Sequence, residues 1–478
     1  MTESLLAAGA GLVSVTRVDD LTTPVAAYLK LAKDRNNAFL LESVEGGSFR
    51  GRYSAIGFDP DLVWTVEKGR PFLQTAADGT PVADGTDPMA SLRRIVDASR
   101  LPGLDNTPSI ASGLFGYIGY DLIRAIEPLP DNQADDPAGI PEARLIRPRT
   151  VIVFDALQQE ITAYGRVPAG GSADAVRKQL ESLLKELDAP LGPAKTAQPQ
   201  SIVPESTFDA EAYRASVARV KDHIRAGDIF QGVLSQRFST PFTLPPFALY
   251  RALRRLNPSP FLFHFQFDGY AVTGSSPEIL VRLRDGVVTV RPIAGTRPRG
   301  ANPAEDAALE ADLLADPKER AEHMMLLDLG RNDVGRVVRP GTIRITDREI
   351  VERYSHVMHI VSNVEGELAD GEDAISALFA GFPAGTVSGA PKVRAMQILD
   401  EIEPHRRGYY AGAAGYFSFD GNMDMAITLR TALIRDGQMH VQAGAGIVLD
   451  SDPEAERQEC INKARALFRA AEQAHRFV

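Results

Sequence analysis

The chain has 478 residues, is 44% hydrophobic and carries a formal net charge of −11, which supplies a large core and excludes a disordered polypeptide. An acidic balance argues against nucleic acid as the main partner, because phosphate backbones are held by clustered Lys and Arg. The one cysteine, Cys460, rules out an internal disulfide framework; with no stretch near the roughly 20 apolar residues of a membrane span and no basic leader in residues 1–6, a soluble cytoplasmic protein is expected.

In chain order, β-rich runs at 38–41, 62–66, 145–154 and 159–164 alternate with helical patterns at 24–33, 88–99 and 173–187. Residues 189–200 hold three prolines and no apolar period, so 189–204 reads as a linker between 1–188 and 205–478. Beyond it, 208–226 predicts a helix and 229–237 a strand, and 261–267 with 270–274 predicts a hairpin turned at Asp268-Gly269. Further strands are expected at 287–291, 341–345, 413–419, 423–434 and 439–443, with helices at 303–315, 317–329, 374–380 and 391–402. There is no regular βαβ alternation, so the fold class expected is α+β with mainly antiparallel hairpins.

The last helix, from Asp452 to about His475, puts Glu456, Glu459 and Lys463 on the face of Cys460, Ala464, Leu467 and Ala471. Glu459 is therefore expected to be buried, where an ionised carboxylate requires a metal, a cation or several hydrogen bonds. Just upstream, the strand-like run 441–448 is broken by Gly444 and Gly446, whose bare backbone lets a ligand lie against the main chain. The helix opened by Asp316 and Pro317 carries a second acid, Glu322, on its apolar face. Two such carboxylates suit a hard cation such as Mg²⁺; core pairing with Arg or Lys is the alternative, and spacing does not separate the two. Glu319, three residues after Asp316, reads as the end of a capping box.

Residues 385–392 look like a phosphate loop but lack its terminal Gly-Lys-Ser/Thr, which leaves a Gly/Thr/Ser loop entering a helix, a seat for an anion. Arg291, Arg297 and Arg299 read as surface charges when taken alone, and His359, in an apolar run, as a satisfied core histidine.

Together, residues 292–300, Glu319-Arg-Ala-Glu-His323, Leu329-Gly-Arg-Asn-Asp333, Met358-His-Ile-Val-Ser362, the 382–392 loop, Arg406-Arg-Gly408 with Tyr410, and 442–446 with Glu456, Glu459 and Lys463 resemble the chorismate-utilising enzymes. Within them the match is to the large, aminating subunits of the anthranilate synthases. The resemblance implies large antiparallel β-sheets forming a sandwich flanked by helices, with 1–188 a regulatory, tryptophan-binding region and 205–478 the catalytic one. It implies that Glu322 and Glu459 hold Mg²⁺. Gly295, Thr296, Tyr410, Arg430, Gly444, Ala445, Gly446 and Lys463 would line the chorismate site, with Arg430 and Tyr410 toward the enolpyruvyl carboxylate. Glu278 would protonate the leaving hydroxyl, which requires a raised pKa, and His359 would serve the elimination, reversing the reading above. Gln231 and Thr386 complete the catalytic set.

Relatives that add water carry a lysine in place of Gln231, and aminodeoxychorismate synthases a lysine nucleophile in place of Ala294, so ammonia addition is expected. Leu40-Leu-Glu-Ser43, Gly51-Arg-Tyr-Ser54 and Asn257-Pro-Ser-Pro260 resemble a tryptophan feedback site, with Ser43, Pro260, Phe261 and Leu262 as contacts; Phe261-Leu262 departs from the commoner Tyr-Met. Since Cys460 lies in a helix and not on a nucleophile elbow, a separate glutamine amidotransferase subunit is implied as the ammonia source, and with it a hetero-oligomer. The competing readings are aminodeoxychorismate synthase, isochorismate synthase, and a catalytically silent tryptophan-sensing subunit.

Overall fold

The computed structural model describes residues 11–43, 51–75, 79–101, 103–104, 106–130, 136, 138–193, 195, 197–354 and 357–478. The stretch 1–6 read for a leader, and residues 194 and 196 of the linker, lie outside the described residues.

Two long strands, Tyr53–Glu67 and Ala143–Asp155, run antiparallel and belong to two sheets at once. Their register shifts between Pro60 and Leu62, next to Asp59 at a left-handed φ of 55°, which bends the pair from one sheet into the other. On one side of the bend, pairing continues through Ala38–Glu42, Phe261–Gln266, Tyr270–Ser276, Thr431–Arg435 and Gln438–Ile447 to Gln231–Pro241. On the other it continues through Gly113–Ile118, Ala413–Ser418, Met423–Ile427, Ile279–Arg284 and Val287–Val290 to Val357–Glu367. The sheets face each other over one apolar core: the rings of Phe39 and Phe115 stack at 4.3 Å, with Trp64, Val272, Met425 and Leu433 buried around them. The expected α+β sandwich is thus observed. Helices Ala210–Arg225, Pro246–Leu256, Lys392–Ile402 and Pro453–Gln473 bury Val217, Leu253, Ile398 and Leu467 in a second cluster with Val441 of the first sheet.

Strands from either side of 189–204 join edge to edge in both sheets, since Phe39 pairs with Phe265 and Tyr117 with Ala414. The hydrogen bonding of the N-terminal strands is therefore completed by the C-terminal half.

Some elements differ in extent from the sequence reading. The strand expected at 423–434 is two, because Arg430 takes φ 47° and turns the chain. The strand expected at 341–345 runs instead from Arg344 to Arg353, an edge strand whose charges mask its alternation. Helix Pro246–Leu256 and strands Gly113–Ile118 and Ile293–Pro298 were not expected. No helix among the described residues is long and apolar enough to cross a membrane.

Candidate active site

Gly444, Ala445 and Gly446 end the Gln438–Ile447 strand, paired with Ser235, Leu234 and Val233. A Cβ on Gly444 would stand 2.8 Å from Tyr410 Oη, and one on Gly446 2.6 Å from Gln231 Nε2, so only glycine admits those side chains where they lie. Two acids flank this tripeptide. On one side Glu322 Oε1 accepts from Gln231 Nε2 at 3.2 Å; on the other Lys463 Nζ donates to the Gly444 carbonyl at 3.0 Å and pairs with Glu459 at 2.7 Å.

Glu459 is not buried as the helical stripe implied, for its side chain is 49% exposed. Cys460, Ala464, Leu467 and Ala471 form the buried stripe, and Glu459 and Lys463 each lie one position off it, where they pair across one helical turn. Glu322 is half-buried. Among the described residues, no group of three or more His, Cys, Asp or Glu is gathered to hold a metal. The donor chemistry still fits a hard cation: each helix offers carboxylate oxygens, with Glu319 and Glu456 one turn before Glu322 and Glu459. Burial pushes the Glu456 carboxyl up and the like charge of Glu459 adds to it, opposed by a hydrogen bond from Ser451 and the charges of Lys463 and Lys318.

Glu319 closes no capping box. The Asp316 N–H already bonds the carbonyls of Asp312 and Leu313, which ends the preceding helix, so Glu319 turns to Arg297 at 3.2 Å and Asp316 caps the Pro317–Gly335 helix alone.

Glu278 sits in the link between Tyr270–Ser276 and Ile279–Arg284, and its Oε2 accepts from Thr386 Oγ1 at 3.0 Å. Burial pushes this carboxyl up, opposed by the Thr386 hydroxyl and the charges of Arg430 and Lys463. Thr386 lies in a single helical turn, Gly385–Ser388, so the supposed anion seat serves a carboxylate of the protein itself.

His359, on Val357–Glu367, has Nδ1 2.9 Å from the Gly295 carbonyl and 3.1 Å from Thr296 Oγ1. A carbonyl only accepts, so Nδ1 carries the proton and Nε2 is left unprotonated. Burial lowers the pKa of this ring below 6.5, which keeps it neutral at pH 7. Arg430 acts electrostatically on both His359 and Glu278, bringing the residues named from sequence into one charged neighbourhood.

The family model for chorismate binding enzyme matches residues 36–469. The chain belongs to the chorismate-binding enzymes. It is 55% identical over 470 residues to anthranilate synthase component 1 of Cereibacter sphaeroides, covering 96% of this chain and 94% of that protein. The crystal structure of anthranilate synthase component I from Streptococcus pneumoniae TIGR4 superposes with a TM-score of 0.79 at 36% identity, over 94% of this chain and 98% of that one. The menaquinone-specific isochorismate synthase of Escherichia coli has the same fold, with a TM-score of 0.74 at 21% identity over 97% and 95% of the two chains.

In this chorismate-binding enzyme a cavity of about 400 Å³ is lined by strands of both sheets, and Ser43, Pro260, Phe261 and Leu262 all contribute to its wall. So do Pro277 and Ile279, on either side of Glu278. The arginines near the site are not loose surface charges: Arg291 is buried and grips Glu352 at 2.5 and 3.0 Å, Arg297 joins Asp312 and Asp316, and Arg299 joins Asp306. Sequence reading passed over Arg407, buried beneath Tyr410, and the buried ion pair of Lys392 with Asp333 at 2.9 Å. Both lay inside quoted motifs, but no local pattern distinguishes a buried cation from a solvated one.

Proposed function

We propose that the chain is the aminating component of an anthranilate synthase, converting chorismate and ammonia to anthranilate and pyruvate through aminodeoxyisochorismate. The observation that carries this reading is Gln231, which stands against Gly446 and Glu322 where an enzyme that adds water would place a base. Ammonia is already nucleophilic and requires none. Ala294, buried and without an amine, offers no covalent route. The 55% identity to an anthranilate synthase component 1 supports the same reading.

Glu278, whose hold on its proton is strengthened by burial, gives that proton to the departing hydroxyl. His359 Nε2 then takes the ring proton as pyruvate leaves. Arg430 and Tyr410 orient the enolpyruvyl carboxylate, and Gly295, Thr296, Gly444, Ala445, Gly446 and Lys463 form the rest of the seat. Glu322 and Glu459 would hold Mg²⁺, whose charge, when bound, neutralises the ring carboxylate. A glutamine amidotransferase subunit supplies ammonia in a cytoplasmic hetero-oligomer. Tryptophan, as feedback inhibitor, occupies the cavity at Ser43, Pro260, Phe261 and Leu262, whose walls carry charges of both signs, Glu42 and Asp424 against Arg52 and Arg282, as an amino acid requires.

Purified chain incubated with chorismate, Mg²⁺ and ammonium should generate anthranilate fluorescence that tryptophan suppresses. Isochorismate in its place would make the protein a water-adding relative, and silence with tryptophan still bound would make it a sensing subunit.

A further inference from the structure

Arg407 has none of the roles above. Its side chain is 1% exposed, and its charge is tied to Glu403 at 2.7 Å. Two further donors reach backbone carbonyls at 2.6 Å, those of Val387 and Val233. Val387 follows Thr386, whose hydroxyl donates to Glu278, and Val233 pairs with Gly446 across the strand. The rings of Tyr120 and Tyr410 lie 4.7 and 5.7 Å from the guanidinium carbon. The planar fork makes four hydrogen bonds at once, two to one carboxylate and one to each carbonyl, where an ammonium has only three donors. We propose that Arg407 is a positioning residue: by clamping the Val387 carbonyl it holds the Thr386 hydroxyl on the Glu278 carboxylate.

The catalytic meaning of this clamp rests on Glu278 being the acid of the reaction proposed above. The groups that bear on Glu278 are the Thr386 hydroxyl, Arg430 and Lys463; those that bear on Arg407 are Glu403, Tyr120 and Tyr410. A hydroxyl donated to a carboxylate favours its ionised form, so loosening Thr386 leaves burial less opposed and raises the pH at which Glu278 loses its proton.

Infrared difference spectroscopy of the full chain follows that proton directly, the protonated carboxyl band being assigned by its loss in Glu278→Gln. Thr386→Val and Arg407→Lys should each move the midpoint up by about one pH unit, and the double variant no further than either alone. The alkaline limb of anthranilate formation should move with it. An Arg407→Lys midpoint at the wild-type value, or shifts that add in the double variant, overturns the proposal. Should Arg407→Lys not fold, Glu403→Gln loosens the same guanidinium, and an unmoved midpoint there overturns it equally. The band is read without turnover, so failure of the proposed reaction, seen as no anthranilate from wild type, registers separately.

Discussion

At the scale of single residues, one physical cause, burial, moves Glu278 and His359 in opposite directions. It disfavours whichever form is charged, so it raises the carboxyl of Glu278 toward a proton donor and lowers the ring of His359 toward a proton acceptor. The elimination half-reaction should therefore persist to below pH 6.5 and fail as pH falls through the lowered value for His359, read as accumulation of the aminated intermediate in a pH series. His359→Met should release that intermediate at any pH, and unchanged product on chromatography would remove His359 from the step. Glu459→Gln should abolish turnover even at saturating Mg²⁺ while leaving the melting temperature nearly unmoved, because an ion pair so exposed contributes under about 1 kcal/mol. The order of the motifs singles these residues out. It does not give their surroundings: helical spacing assigns Glu459 to the apolar stripe, and one position of rotation, about 100°, is enough to put it at the solvated margin.

Among elements, what is encoded locally was read best. Asp316 caps its helix as expected, and Asp452 caps the last one, each accepting from two backbone N–H groups, since capping involves neighbours in sequence. The turn at Arg430 and the extent of the edge strand Arg344–Arg353 escaped notice because one depends on a single left-handed residue and the other carries charges that mask its alternation. Helices Lys392–Ile402 and Pro317–Gly335 are pinned by the Lys392–Asp333 pair, both of whose side chains are buried. Lys392→Met, which leaves Asp333 without its counter-charge, should cost roughly 3 kcal/mol or more in urea unfolding. Gly444→Ala, by overpacking against the buried Tyr410, should cost about 1–3 kcal/mol of stability and raise the chorismate KM roughly tenfold, about 1.4 kcal/mol, by displacing that ring.

For the whole molecule, composition alone indicates a large core, but not that the two halves of the chain share both sheets. The proline-rich stretch 189–204 separates them in sequence, yet Leu262 pairs with Glu42 and Tyr416 with Phe115. A fragment of residues 205–478 should accordingly fail to reach a cooperative fold, seen as a broad thermal transition and aggregation on gel filtration; a sharp melt would show that the halves are separable. Phe261→Ala, in the cavity proposed for tryptophan, should weaken inhibition by tryptophan while leaving uninhibited turnover unchanged.

The sharing of sheets between the two halves also dictates how the protein must be made. Strand Ala38–Glu42 leaves the ribosome more than 200 residues ahead of its partner Phe261–Gln266. At roughly 5–20 residues per second, its open flank waits on the order of ten seconds or longer, a sticky template throughout. A nascent chain in that condition calls for a holdase, and slowing translation between the two segments should lower the soluble yield.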